Sequence, residues 1–412
     1  MQLQVRQECP QCGGPTVITE NDRLVTCAYC GVKHFLHTQG VYRYVVPPRK
    51  APQGEQGFLC VPYIRFKGTV YRVSSAGITH RVVDTTQIAV NIPGLPPSLG
   101  VRPQAMQLEH VSPDFPARYL MRTLEPREIV HKAAHLSCGA VSFAESVFHL
   151  EYIGETISVL YLPVFREDNR IIDAVNESVL RGNTAVHNHQ RTGCREKWVV
   201  SFLPALCPHC GAALDGSPDT LVVICDNCHR GWRQKGRALE PVMWQVVDGN
   251  EHGCLQLPFW KLTACIPALD ITTFADFIRC TNQPITPRSE WTERAMEFWV
   301  PAFTIKPKAF LLAGRFVTFG QHHLGALKKG VKQQTLFPVT LPVKEAAQAI
   351  KMVLAAATNT PKRVFPYLAE AKVQVSASSL VYLPFMDKGH EWMQPHTGAV
   401  IGKNILKFGR FM

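Results

Sequence analysis

Eight of the fourteen cysteines in this 412-residue chain fall into four C-x-x-C pairs, and the pairs form two matched sets. The first set is Cys9-Pro-Gln-Cys12 with Cys27-Ala-Tyr-Cys30; the second is Cys207-Pro-His-Cys210 with Cys225-Asp-Asn-Cys228. Fourteen residues separate the pairs in both sets. A C-x-x-C turn aims two sulfurs at one point, and two such turns on facing hairpins close a tetrahedron of thiolates, the donor set that zinc favours. Pro10 and Pro208 fix the backbone entering the first turn of each set. Gly13 and Gly211 follow its second cysteine, where a positive φ is needed. Residues 23–26 and 220–224 read as short strands, each preceded by a turn at 21–22 or 216–219.

Two rival readings are structural disulfides and a redox dithiol. Disulfides suit oxidising compartments. A dithiol site needs one C-x-x-C rather than two matched sets. Zinc is therefore the expected cofactor, with two structural ions. Cysteine fills all four positions of each site, so none is left open for water. The other six cysteines read as free thiols. His131, His135 and Cys138, at helical spacing, form one histidine–cysteine grouping, and His187, His189 and Cys194 form a second; whether either binds metal stays open.

The equal spacing of the two sets suggests an internal duplication, and four further landmarks recur in the same order. Leu59-Cys-Val-Pro62 matches Leu255-Gln-Leu-Pro258, and Arg102-Pro103 matches Lys306-Pro307. Thr123-Leu124 matches Thr340-Leu341, and Tyr161-Leu162-Pro163 matches Tyr382-Leu383-Pro384. The offsets grow from 198 and 196 through 204 and 217 to 221, so the second half has gained residues, mainly between the Lys306 and Thr340 landmarks. That stretch, with Gln321-His322-His323 and Lys328-Lys329, is expected to form an exposed loop or hairpin.

Each half then reads as a cysteine cluster followed by an α+β body with a mostly antiparallel sheet and a few helices. The Pro62 and Pro258 strands are expected at an edge or strand end. Meanders are expected over 159–175 and 380–398. Helices are expected over 128–136, 289–299 and the stretch that opens at Thr340.

The cysteine clusters, with Pro10, Pro208, Gly13 and Gly211, resemble the zinc-ribbon class seen in transcription factor IIB-type ribbons, RNA polymerase subunits and many bacterial proteins. His229, where a glycine often stands, departs from that pattern. The bodies are similar to uncharacterised bacterial zinc-ribbon proteins, a resemblance that brings no activity with it. The expected organisation is ribbon 1 over 1–45, body 1 over 56–185, ribbon 2 over 200–240 and body 2 over 252–412.

No phosphate-binding loop, dinucleotide fingerprint, H-E-x-x-H or G-x-S-x-G motif is present. The expectation is a non-enzymatic adaptor or scaffold that binds a protein partner through ribbons and bodies. Net charge is +12, and basic residues flank the ribbons. Arg43, Arg49, Lys50, Arg230 and Arg233, with Trp232 interleaved, form a candidate nucleic-acid surface. An ordinary basic surface is the preferred account of them, and an enzyme without a recognisable motif is the remaining alternative. With no apolar run near the length of a membrane helix and no secretory leader visible, a cytoplasmic location is expected.

Overall fold

A computed structural model describes residues 3–38, 40–52, 57–112, 115, 117–123, 147–167, 170–180, 200–247, 254–329 and 336–409. The chain divides into two compact units: Met1–Lys67, Val83–Gly139 and Glu155–Ala205 form unit 1, and Gly68–Val82, Ala140–Gly154 and Leu206–Met412 form unit 2. The fold is α+β with mixed sheets.

In unit 1, β1 (Gln4–Glu8), β2 (Pro15–Thr19), β3 (Leu24–Thr26) and β4 (Lys33–His37) surround the first cysteine set. They are followed by β5 (Tyr42–Val45), β6 (Phe58–Ser74), β7 (Gly77–Ile88), β8 (Gln107–His110) and β9 (Ala117–Tyr119). Then come β10 (Val147–Glu167), β11 (Arg170–Asp173), β12 (Val179–Leu180) and β13 (Ser201–Pro204). The distal parts of β6, β7 and β10 belong to unit 2. The sheet order is β12-β11-β10-β5-β8-β1-β2, with β6 on β10, and β7 and β9 on β6. β10, β11 and β12 form the expected meander. β5 runs parallel to β10, and β1 parallel to β8, so the sheet is less antiparallel than its sequence suggests. Valine, leucine and isoleucine from these strands close the unit 1 core.

Unit 2 begins with β14 (Val222–Ile224), β15 (Gly231–Lys235), β16 (Ala238–Val242), β17 (Trp244–Val247) and β18 (Leu255–Cys265). It continues through α1 (Phe274–Cys280), β19 (Glu297–Pro301), α2 (Pro307–Gly320), β20 (Leu327–Lys329) and α3 (Val343–Ala357). It ends with β21 (Gln374–Asp387), β22 (Glu391–Met393), β23 (Val400–Gly402) and α4 (Lys403–Gly409). The order is β19-β18-β21-β17-β20, with β22 and β23 completing a meander from β21. The long strand β21 takes a parallel partner, β17, on one side and an antiparallel one, β18, on the other.

Four expectations need comment. β18 lies between β19 and β21, and β6 pairs with β10, β7 and β9, so neither proline strand is an edge. The ladder tolerates proline because only the N–H is forfeited. The carbonyls of Pro62 and Pro258 still accept from Ala89 and Ala302, both at 2.9 Å. Residues 289–299 are not a helix. A 3-10 turn, Ser289–Thr292, leads into β19, whose Phe298, Trp299 and Val300 are buried on both faces. The stretch between Lys306 and Thr340, expected as an exposed loop or hairpin, opens instead with α2, whose Phe310, Ala313 and Val317 are buried; Gln321 after it is buried too, whereas Lys328 and Lys329 are exposed on β20. At Gly314 a Cβ would stand 2.9 Å from Val353 Cγ2, so glycine lets α2 approach α3 closely. The helix expected over 128–136 lies outside the described residues, whereas α3 bears out the one opening near Thr340.

Charge is buried in unit 1. Glu20 is fully enclosed and pairs with Arg65, itself 1 % exposed, while Lys67 Nζ stands 3.5 Å from the same carboxylate. Arg65 also grips Asp84 through Nε and Nη2, each at 2.8 Å. In unit 2 the β18–β19 pair Lys261–Glu297, at 2.9 Å, is about one-fifth exposed on each side. Removing one partner of an enclosed pair strands the other charge. Glu20→Ala is therefore expected to cost about 3–5 kcal/mol in urea unfolding, and Lys261→Met about 1 kcal/mol or less. Equal costs would contradict this account of Glu20.

Candidate metal centres

The four knuckles share one backbone design. The amide of each first cysteine donates five residues on: Cys9 to Gly14 (3.0 Å), Cys27 to Val32 (3.0 Å), Cys207 to Ala212 (2.8 Å) and Cys225 to Arg230 (3.0 Å). The residue after each second cysteine donates back to the first cysteine's carbonyl, at 2.9–3.0 Å, from Gly13, Gly31, Gly211 and His229. This closure requires a left-handed residue, and φ is 70°, 71°, 72° and 55° in turn. Three of the four are glycine, as the constraint predicts. His229 takes the same conformation at a cost of about 1–2 kcal/mol. Trp244 Nε1 donates to its carbonyl at 2.9 Å and holds it there.

These turns bring the sulfurs together. Cys9 and Cys30 Sγ lie 3.8 Å apart, and Cys12 and Cys27 3.7 Å. In the second set, Cys207–Cys228 and Cys210–Cys225 are both 3.6 Å apart. All four sulfurs of each set lie within 4.8 Å of one another. A tetrahedron with Zn–S bonds near 2.3 Å has edges of about 3.8 Å, so both clusters fit a zinc ion. Within each cluster one thiol is lowered and another, Cys12 or Cys228, is raised by burial and its cysteine neighbours despite an amide hydrogen bond. Amides of Cys30 and Tyr29 lower the Cys27 thiol to about 6, and the Ala212 amide with the Asn227 side chain does the same for Cys210.

Neither ribbon stands apart from a core. Leu24, Phe35 and Leu36 are buried in the first, and β13 pairs with β4. In the second, Val222 and Ile224 join the unit 2 core, and Leu221 N–H donates to Val339 O at 2.7 Å. Trp244 packs at the junction between the second ribbon and its body, 7 % exposed. No sequence signal tied it to the His229 knuckle.

Several of the candidate nucleic-acid residues are engaged within their own unit. Trp232 is buried and offers no free ring face. Arg233 pairs with Glu240 at 3.4 Å, as does Lys235 at 2.9 Å. Lys50 pairs with Glu167 at 2.9 Å. Arg43 is half-buried and hydrogen-bonds Tyr161, whereas Arg49 and Arg230 are exposed. Both histidine–cysteine groupings, His131/His135/Cys138 and His187/His189/Cys194, lie outside the described residues. Among the described residues, only the two four-cysteine sets gather metal-ligating groups. No helix is long and apolar enough to cross a membrane, again among the described residues.

Purified protein is expected to carry two equivalents of zinc, one per cluster. Cys12→Ser and Cys210→Ser should each remove about one, and the double variant both, by elemental analysis. Zinc should also leave on acidification, because protons compete for the thiolates. Single variants that keep both ions would refute the assignment. Comparison of the chain with protein-family models, curated proteins and solved structures yields no match.

Proposed function

We propose that this chain is a zinc-stabilised, tandemly duplicated scaffold that holds a protein partner and catalyses no reaction of its own. The observation that carries the reading is the closed donor set. Cysteine sulfur occupies all four corners of each tetrahedron, which leaves the metal no position for water or substrate. Such an ion orders its surroundings rather than acting on a ligand. A relationship of the ribbons to the transcription factor IIB type forms part of this reading and rests on the knuckles alone.

Duplication is supported by hydrogen bonds that recur at the offsets of the sequence landmarks. Leu120 donates to Cys60, and Phe337 to Gln256, at 3.0 and 2.9 Å. The Thr123 and Thr340 landmarks also donate alike, to Ala89 and Ala302, both at 2.9 Å, although these acceptors are 213 residues apart and not at a landmark offset. In the meanders, Asp173 N–H bonds Ser178 O and Gln394 N–H bonds Ala399 O, at 3.0 and 2.8 Å. Glu177 and Gly398 share the left-handed position that closes each turn, with φ of 61° and 70°. Asp173 and Gln394, both fully buried, each accept an amide two residues on. On this reading ribbon 1 and body 1 are one copy, ribbon 2 and body 2 the other. Repeated bodies present two related surfaces, as suits a scaffold. Nucleic-acid binding around the ribbons draws no support from a buried Trp232 and a neutralised Arg233.

The test is affinity capture with the full chain at physiological salt, before and after nuclease. A specific protein should be recovered in both cases, and its binding should fall at least about tenfold in the Cys12→Ser/Cys210→Ser variant, as loss of an organising ion implies. Capture that disappears with nuclease, or that survives loss of both ions, would overturn the proposal.

A further inference from the structure

Three elements of unit 2 meet around the start of α2. The hairpin segment Gly68–Val82 reaches it through Tyr71, whose hydroxyl donates to Pro307 O at 3.4 Å and whose ring lies 6.5 Å from Phe310 and 6.2 Å from His80. From the other direction α4 closes in: a Cβ on Gly409 would stand 3.0 Å from Ile305 Cα.

None of these elements carries an acid. Residues 68–82, 307–320 and 403–409 contain no aspartate or glutamate. Arg72, Arg81, Lys306, Lys308, Arg315 and Lys407 stand there without an acidic partner among the described residues. Elsewhere in unit 2 several cations are matched: Lys261 and Arg294 with Glu297, Arg279 with Asp276, and Arg233 and Lys235 with Glu240. Exposed apolar side chains sit among the unmatched cations. Val82, Leu312, Phe316 and Phe408 are 42 %, 36 %, 37 % and 57 % exposed. Leu312 and Phe316 lie one turn apart on α2, on the face that also carries Lys308 and Arg315.

Unmatched positive charge calls for a polyanion, and the exposed tips decide which kind. Single-stranded nucleic acid is held by flat rings on which bases stack. Val82 and Leu312 are aliphatic and offer no such face, and the rings of Phe316 and Phe408 are each already covered on one side by Arg315 and Lys407, at 5.7 and 5.4 Å. A bilayer interface takes both features at once, with lysine and arginine among anionic headgroups and leucine and phenylalanine at the acyl boundary. We propose that this face of unit 2, built by the Gly68–Val82 hairpin, α2 and α4, binds the surface of a membrane rich in anionic phospholipid. The site is separate from the cysteine clusters and does not depend on the scaffold reading.

The test is flotation of the full-length, zinc-loaded protein with vesicles of phosphatidylcholine alone or doped with phosphatidylserine. Binding is expected only with phosphatidylserine and should weaken as salt is added. Lys308→Glu/Arg315→Glu should lower the bound fraction at least about tenfold, since each cation near the surface contributes about a factor of five. Leu312→Ser/Phe316→Ser should weaken binding at unchanged charge. Arg230→Glu/Arg237→Glu, an equal charge change on the second ribbon, should leave it intact. Zinc content and thermal unfolding report whether each variant is folded, and Lys308→Gln/Arg315→Gln replaces the glutamate pair should that pair unfold. The proposal fails if phosphatidylserine vesicles do not bind, or if the ribbon control loses as much as the α2 variant. It also fails if the α2 charges are required for binding a short RNA or DNA while vesicles stay unbound.

Discussion

Four sulfur atoms within 4.8 Å of one another are an unstable arrangement without a cation to share. As thiolates they repel; as thiols they make only weak hydrogen bonds. A zinc ion held by each set would turn this liability into a strong local constraint. The strands beside the sulfurs are short. β3 and β14 have three residues each, and isolated hairpins of that size are marginal in water. The knuckle backbone is the protein's share of the arrangement, since its inward-turned amides and left-handed closing residues set the sulfur positions.

Around these centres the two sheets solve one topological problem twice. A parallel pair such as β5–β10 or β17–β21 cannot be joined by a tight turn, so the chain must travel far before the second strand arrives. In both cases the intervening chain lays down another partner of the long strand, β6 or β18, and the long strand then folds back into a meander. Proline sits inside both partner strands, tolerated because its carbonyl remains in the ladder. A cation on that strand meets a carboxylate on the next, Arg65 with Asp84 and Lys261 with Glu297. The first of these is enclosed further by Glu20, so the two sheets share a plan while differing in how much charge they bury.

Much of this was legible from residue types and spacing. Cys-x-x-Cys pairs, the Pro and Gly around them, the two meanders and the helix opening near Thr340 all carry local signals, and the structure contains each of them. What escaped was decided by neighbours distant in sequence. The segment 289–299 has apolar residues compatible with either period, and pairing with β18 made its end a strand. Phe310, Ala313 and Val317 fall on one helical stripe, but the eye is drawn to His322-His323 and the lysines beyond, which suggest a loop. Trp232 and Trp244 each precede a polar or basic residue, Arg233 or Gln245, and only packing shows that both are buried. The clustering of unmatched cations at α2 was equally hidden, because Arg81, Lys308 and Lys407 are far apart along the chain.

The bond from Trp244 to the His229 carbonyl has a mechanical consequence. Trp244 is the first residue of β17, the strand between β21 and β20, and its ring packs against Tyr382 of β21. The last knuckle of the second ribbon is thereby bolted to the middle of a sheet rather than hung from a flexible tether. Any loosening of the sulfur cage at that end would pull on a central strand. The body of unit 2 thus has a built-in gauge of whether its ribbon is intact.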